Sequence, residues 1–147
     1  MPGLGLGRDP VRTPLPWSDA ANGDFTRGAP WLPLGEHPAG LNVAAQKGDP
    51  NSMLSLYRAL LQLRRAEPAL SVGDHVPVAA TGSILAYERR IRTRRLLVAL
   101  NLTPELAGLE LAQLNGRLLL STDAHKPGEV RPVQALGPNE GRIFEIS

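Results

Sequence analysis

Prolines at positions 10, 14 and 16 decide what the first part of this 147-residue chain can become. Each holds φ near about −65° and removes a backbone donor, so neither a helix interior nor a central strand can pass. The stretch Gly7-Arg8-Asp9-Pro10-Val11-Arg12-Thr13-Pro14-Leu15-Pro16-Trp17 therefore reads as a stiff loop carrying two arginines and a tryptophan. Hydrophobic periodicity stays absent as far as Gly48, where Trp17, Phe25, Trp31, Leu32 and Leu34 are spaced by Ser, Asp, Asn, Gly and Pro. An aperiodic stretch of this length is a functional loop or a disordered one, and apolar anchors argue against disorder. Two readings follow: an irregular arm that packs its aromatics against a body, which the physics favours, or an active-site loop.

The pattern then changes. Asp49-Pro50 offers an N-cap followed by proline at the first helical position. Met53, Leu54, Tyr57, Leu60, Leu61 and Arg64 fall on one helical stripe, which Leu56 and Leu63 widen. Glu67-Pro68 ends it, so one amphipathic helix is predicted over about residues 50–66. Beyond Ala69 the period shortens. Strands are predicted over residues 75–80, 84–90, 95–102, 106–112, 116–121, 130–136 and 142–146, with Gly, Asn or Pro between them. Residues 95–102 (Arg-Leu-Leu-Val-Ala-Leu-Asn-Leu) are the most apolar run and so the central strand. The expected architecture is mainly β, a C-terminal antiparallel sandwich preceded by an irregular loop and one helix.

Composition removes whole classes of function. Cysteine is absent, and with it disulfides, thiolate metal sites and cysteine nucleophiles. No continuous apolar run is long enough for a membrane span, and the start lacks the basic and apolar regions of a secretory signal. A cytoplasmic location and no membrane partner are expected. The net charge of +2 is weak, and the high pI reflects the preference for Arg over Lys. The cluster Arg89, Arg90, Arg92, Arg94 and Arg95 lies where two strands should connect. No aromatic is interleaved to stack a base, so it reads as a solvated hairpin tip and not as a nucleic-acid site. His37, His75 and His125 are scattered without ligand spacing, so no metal or other cofactor is expected. Ser71, Ser83 and Ser121 lack a nucleophile elbow. Asp9, Asp19, Asp24, Glu36 and Asp49 share only proximity, and no self-sufficient catalytic site emerges.

The motifs do resemble a family. Gly7-Arg8-Asp9-Pro10-Val11-Arg12-Thr13-Pro14, Trp17, Asn22, Gly23, Phe25, Thr26 and Pro30-Trp31-Leu32-Pro33 are similar to the late barrel loop of α-glucosidases. These belong to the α-amylase-type glycoside hydrolases, the group of oligo-1,6-glucosidase and trehalose synthase. Asn42-Val43-Ala44-Ala45-Gln46, Asp49-Pro50, Ser52, Tyr57-Arg58, Leu61, Leu63-Arg64, Pro68-Ala69-Leu70, Gly73, Ala86-Tyr87 and the strand from Leu97 to Leu102 continue the match. The resemblance implies that residues 1–70 end a (β/α)8 barrel, with its last long loop and helix, and that residues 71–147 form a C-terminal β-sandwich domain. A whole barrel takes roughly 250 residues, so most of it lies outside this chain.

The family's retaining chemistry uses two carboxyls about 5 Å apart, together with a stabilising aspartate. The resemblance places all three on earlier strands, so no catalytic residue is assigned here and the chain alone is expected to be inactive. Arg8 matches an arginine that helps hold the terminal glucose, a task suited to a planar multi-donor guanidinium. Asp9 and Arg12 are adjacent substrate-binding candidates, with a loop-turning aspartate and a structural ion pair as their plainer roles. Where the family has Met-Gln-Trp-Asp, this chain has Leu15-Pro16-Trp17-Ser18. The implied partner is an α-glucoside or a malto- or isomalto-oligosaccharide, once the barrel is complete. A stand-alone carbohydrate-binding or protein-interaction sandwich is the alternative. A barrel helix without its barrel would also expose the stripe from Met53 to Leu61 and favour self-association.

Overall fold

The computed structural model describes residues 12–35, 40–78, 82–108, 115–123, 130–132 and 135–146. The chain divides into two compact units, Met1–Leu56 and Tyr57–Ser147.

In the first unit the predicted loop is ordered by its own backbone. The Trp17 amide donates to the Gly23 carbonyl at 2.7 Å, and Gly23 donates to Ala20 at 2.8 Å. Between them Ala21–Asp24 makes one 3-10 turn. Asn22, Gly23 and Asp24 all take positive φ there, a conformation most at home with Gly, Asn and Asp. A short helix the sequence reading missed, α1 (Val43–Gly48), follows. Its first amides need partners, and the loop supplies them. Val43 donates to the Pro16 carbonyl at 3.0 Å and Ala44 to the Trp17 carbonyl at 2.9 Å. Asn42 is the N-cap, its Oδ1 accepting from the Ala45 amide at 2.9 Å. The buried Asn42 side chain also donates to Asp19 at 2.7 Å, which ties the loop to the helix start.

The main helix, α2 (Met53–Ala66), ends where predicted but starts later. Asp49 is not its cap; the Asp49 carboxylate accepts from the Asn51 amide and turns the chain. Ser52 does the capping, with its hydroxyl accepting from the Ser55 amide at 3.2 Å. Gln46 Oε1 takes the Leu54 amide at 3.1 Å. Glu67-Pro68 ends α2, and Pro68 then opens a further helix, α3 (Pro68–Val72), from its first position.

The second unit is built on antiparallel strands, as expected. They are β1 (Asp74–Pro77), β2 (Ile84–Ile91), β3 (Arg94–Asn101), β4 (Ala107–Gly108), β5 (Asn115–Ser121), β6 (Val130–Pro132), β7 (Ala135–Leu136) and β8 (Gly141–Ile146). Six form one sheet in the order β1-β2-β3-β8-β5-β6, while β4 and β7 pair separately. The predicted strand over 130–136 thus divides between the two sheets. The apolar run 95–102 is central, with Leu96, Leu97, Val98 and Ala99 all buried on the two faces of β3. Leu97, Ala99, Leu118, Phe144 and Ile146 meet Ala107 of β4 and Leu136 of β7 in the core. Phe144 lies opposite Leu97 on one side and Leu118 on the other. Gly73 joins α3 to β1 where no side chain fits: a Cβ there would stand 2.7 Å from the Arg90 carbonyl.

The arginine cluster lies at the β2–β3 hairpin tip, as expected, and Arg92 is exposed there, but its other members also have partners within the fold. Arg92, at φ 51°, makes the turn, and its neighbours are ion-paired or bonded to backbone. Arg95 donates to Glu88 at 3.0 Å and Arg90 to Glu88 at 2.6 Å. Arg94 bridges Glu67 and Glu145, and Arg117 joins Glu145 from β5. Arg89 Nε donates to the Ala69 carbonyl at 3.1 Å. Glu67, Arg94, Glu145 and Arg117 therefore form one chain of charges from the start of α3 across β3 and β8 to β5.

Candidate functional site

Arg12 is the one predicted site residue that the structure describes; Arg8 and Asp9 lie outside the described residues. It is exposed, and among the described residues no carboxylate pairs with it. The loop curls back to meet it. The Asn22 side-chain amide donates to the Gly28 carbonyl at 3.0 Å and to the Thr26 carbonyl at 3.3 Å, which holds the segment that follows in a bend. Arg12 and Pro14 then share a small cleft of about 240 Å³ with Phe25, Thr26, Trp31 and Leu32.

Trp31 is 89% exposed and Phe25 52%. A flat apolar ring left in water beside a multi-donor guanidinium suits a ligand with an apolar face and hydroxyl edges. Sequence reasoning named Arg12 but not its neighbours Phe25, Thr26 and Trp31 as a group. The signal was available: aromatics make up only 4% of the chain, and Trp17, Phe25 and Trp31 lie within fifteen positions of one another. Leu15-Pro16-Trp17-Ser18, the departure from the family pattern, has its own local role. The Pro16 and Trp17 carbonyls cap α1, and the Ser18 hydroxyl donates to the Asp24 carboxylate.

The second unit holds a larger cleft of about 860 Å³, between α2 and α3 and the outer face of the sheet. Tyr57, Leu61 and Arg64 come from α2, while Tyr87, Arg89, Val98 and Ile143 come from the sheet. His75 and Tyr87 stack on its wall with ring centroids 4.8 Å apart. Arg142 reaches its floor but is neutralised by Glu140 at 2.7 Å. Both partners are buried, and the Ser121 hydroxyl and Gly137 amide also donate to Glu140 at 2.7 Å each.

Three of these glutamates are held as carboxylates. The Arg90 hydrogen bond is the largest influence on Glu88 and lowers its pKa. Burial pushes Glu140 up, but Arg142, Ser121 and Gly137 together outweigh it and leave its pKa lowered. Glu145 is lowered first by its bond from Arg117. Groups with depressed folded-state values stabilise the fold fully above the ordinary glutamate pKa of about 4.3 and lose that contribution as pH falls through their own values. The unfolding midpoint is therefore expected to hold between about pH 7 and pH 5 and to drop below about pH 4. Urea titrations at each pH check this, and Glu145→Gln should flatten the acid limb. Among the described residues no helix is long and apolar enough to cross a membrane, and no cluster of three or more His, Asp or Glu could hold a metal ion.

Comparison with known proteins agrees with the resemblance read from the loop motifs. Residues 3–73 match the alpha-amylase catalytic domain family. The chain is 38% identical over 105 residues to a probable alpha-glucosidase of Rhizobium meliloti, covering 71% of this chain and 19% of that protein. It is 31% identical over 146 residues to the oligo-1,6-glucosidase of Parageobacillus thermoglucosidasius, covering 95% of this chain and 26% of the relative. The crystal structure of a trehalulose synthase from Pseudomonas mesoacidophila MX-45 superposes with a TM-score of 0.84 at 29% identity, covering 95% of this chain and 26% of that one. The chain thus spans about a quarter or less of the length of these relatives. These matches support an α-glucosidase-like member of the α-amylase-type glycoside hydrolases, of which this chain spans part.

Proposed function

We propose that this chain is the C-terminal part of an α-glucosidase-like enzyme acting on α-glucosides or short malto- or isomalto-oligosaccharides. Residues 1–70 supply the last loop and helix of its (β/α)8 barrel, and residues 71–147 its C-terminal β domain. The observation that carries the reading is the extent of the matches: the catalytic-domain family ends at residue 73, yet the relatives align onward through the sheet. The loop bearing Arg8, Asp9 and Arg12 forms one wall of the sugar site. Arg12 and the exposed Phe25 and Trp31 offer donors and an apolar face to a pyranose. The carboxylates that cleave the glycosidic bond belong to earlier strands of the barrel, so this chain binds and does not cut.

Two measurements test this. The 147-residue chain should not turn over p-nitrophenyl α-glucoside. A chimera carrying it in place of the matched quarter of the Parageobacillus enzyme should. In that chimera Arg8→Ala is expected to lower kcat/KM by about 10²-fold, the scale of losing a charged contact to the reacting sugar. Turnover by the isolated chain that disappears in Arg8→Ala would overturn the reading. The isolated chain is also expected to self-associate weakly through Met53, Tyr57 and Leu61, which are 70%, 60% and 41% exposed.

A further inference from the structure

Three residues in a row, Asn22, Gly23 and Asp24, take φ of 54°, 59° and 55°. Left-handed backbone is strained for a residue with a Cβ and persists only where surrounding contacts over-determine it. Those contacts run in two directions. Backward, the Trp17 amide donates to the Gly23 carbonyl, and a Cβ at Gly23 would stand 3.0 Å from the Pro16 Cα. The turn is thus pressed onto the proline-stiffened stretch. Forward, one side chain does the work. Asn22 Nδ2 spends both hydrogens, on the Gly28 carbonyl at 3.0 Å and the Thr26 carbonyl at 3.3 Å. The Gly28 amide donates to the Thr26 hydroxyl at 3.2 Å and closes the bend on itself. Among the described residues no other hydrogen bond reaches residues 26–32 from outside that bend. The same segment supplies Thr26, Trp31 and Leu32 to the Arg12 cleft, with Phe25 at its start.

We propose that Asn22 is a positioning residue for the sugar-binding wall. Its amide, acting through the Thr26 and Gly28 carbonyls, sets where Phe25, Thr26 and Trp31 stand relative to Arg12. This rests on the reading above that the loop forms one wall of an α-glucoside site. The chemistry allowed at position 22 is narrow. Two carbonyl oxygens need two donors from one planar group, and the backbone needs a residue that tolerates positive φ. Asparagine meets both demands. Aspartate meets only the second, since its carboxylate turns acceptors toward acceptors, while glycine keeps the backbone and loses the side chain. The two substitutions therefore separate the amide from the turn that carries it. Because the cleft would hold sugar without supplying a reacting group, releasing it should raise KM and spare kcat.

The first measurement uses the full 147-residue chain and needs no substrate. Asn22→Asp and Asn22→Gly are each expected to speed hydrogen exchange at the Phe25 and Gly28 amides at least about tenfold. The Val43 and Ala44 amides, bonded to the Pro16 and Trp17 carbonyls, should keep their wild-type rates. Unchanged exchange at residues 25 and 28 would mean that packing holds the bend, and equal acceleration at all four amides that the variants merely loosen the unit; either result overturns the proposal. The second measurement uses the Parageobacillus chimera. Each variant should raise KM for p-nitrophenyl α-glucoside about five- to tenfold, with kcat within about twofold of wild type. Combined with Trp31→Ala, the losses should fall well short of additive, because a residue that Asn22 positions is already gone. A wild-type KM in both variants, a fall in kcat at unchanged KM, or fully additive losses would refute the positioning role and leave the enzyme reading standing. A wild-type chimera without turnover fails the enzyme reading alone, and the exchange rates still decide whether Asn22 holds the bend.

Discussion

Replacing Glu140 with alanine is expected to cost about 3–5 kcal/mol, the usual penalty for stranding one member of a buried ion pair. Glu140 is 3% exposed and Arg142 8%, so the guanidinium left behind has neither carboxylate nor free access to water. The Ser121 hydroxyl and the Gly137 amide lose their acceptor in the same substitution. Arg142 keeps one bond, to the Ala135 carbonyl at 3.0 Å, which holds it in place and prevents its escape to solvent. Because domains are stable by only about 5–15 kcal/mol, this change removes a large part of the total. A urea midpoint that falls with an unchanged slope would show it. The double replacement Glu140→Leu with Arg142→Met should cost much less, since removing both charges leaves no orphan. Equal costs for the single and double variants would refute this account.

Phe144→Ala comes second, at about 3–5 kcal/mol. Its ring is 0% exposed between β3 and β5, and it is the largest fully buried side chain described. The strand on its far side makes no allowance for collapse. Gly116 already lies so close that a Cβ there would meet the Phe144 Cβ at 2.9 Å, so the space around the ring is spent on both sides. Phe144→Leu should recover about half of the loss, because it restores most of the apolar contact but not the shape. A value for Phe144→Ala under about 1 kcal/mol would mean the sheet relaxes into the gap. Both variants act on the sheet, so neither should alter the Arg12 cleft of the first unit.

Much of this could be read from residues alone. Prolines at 10, 14 and 16 excluded regular structure from the opening loop, and the stripe from Met53 to Leu61 predicted α2 with its end at Ala66. The alternation of β8 separated Phe144 and Ile146 from Ile143 and Glu145, and the first two do lie in the core. The motif order from Gly7 to Leu102 pointed to the α-glucosidases. These properties are local: fixed torsions, a period of 3.6 or 2, and the spacing of motif residues along the chain.

What the sequence left open was settled by contacts between distant residues. Helix α1 was missed because its six residues carry no stripe; it exists because Asn42 caps it and the Pro16 and Trp17 carbonyls accept its first amides. Asp49 looked like the cap of α2, but Ser52 was better placed once Gln46 had folded back over the helix start. The ion pairs of the arginines near the 89–95 hairpin tip were not legible, because Glu67, Glu88 and Glu145 are 27, 7 and 51 residues away from Arg94, Arg95 and Arg94, which they meet. Pairing over such separations has no periodic signature in the chain. Only the folded sheet brings those charges within reach.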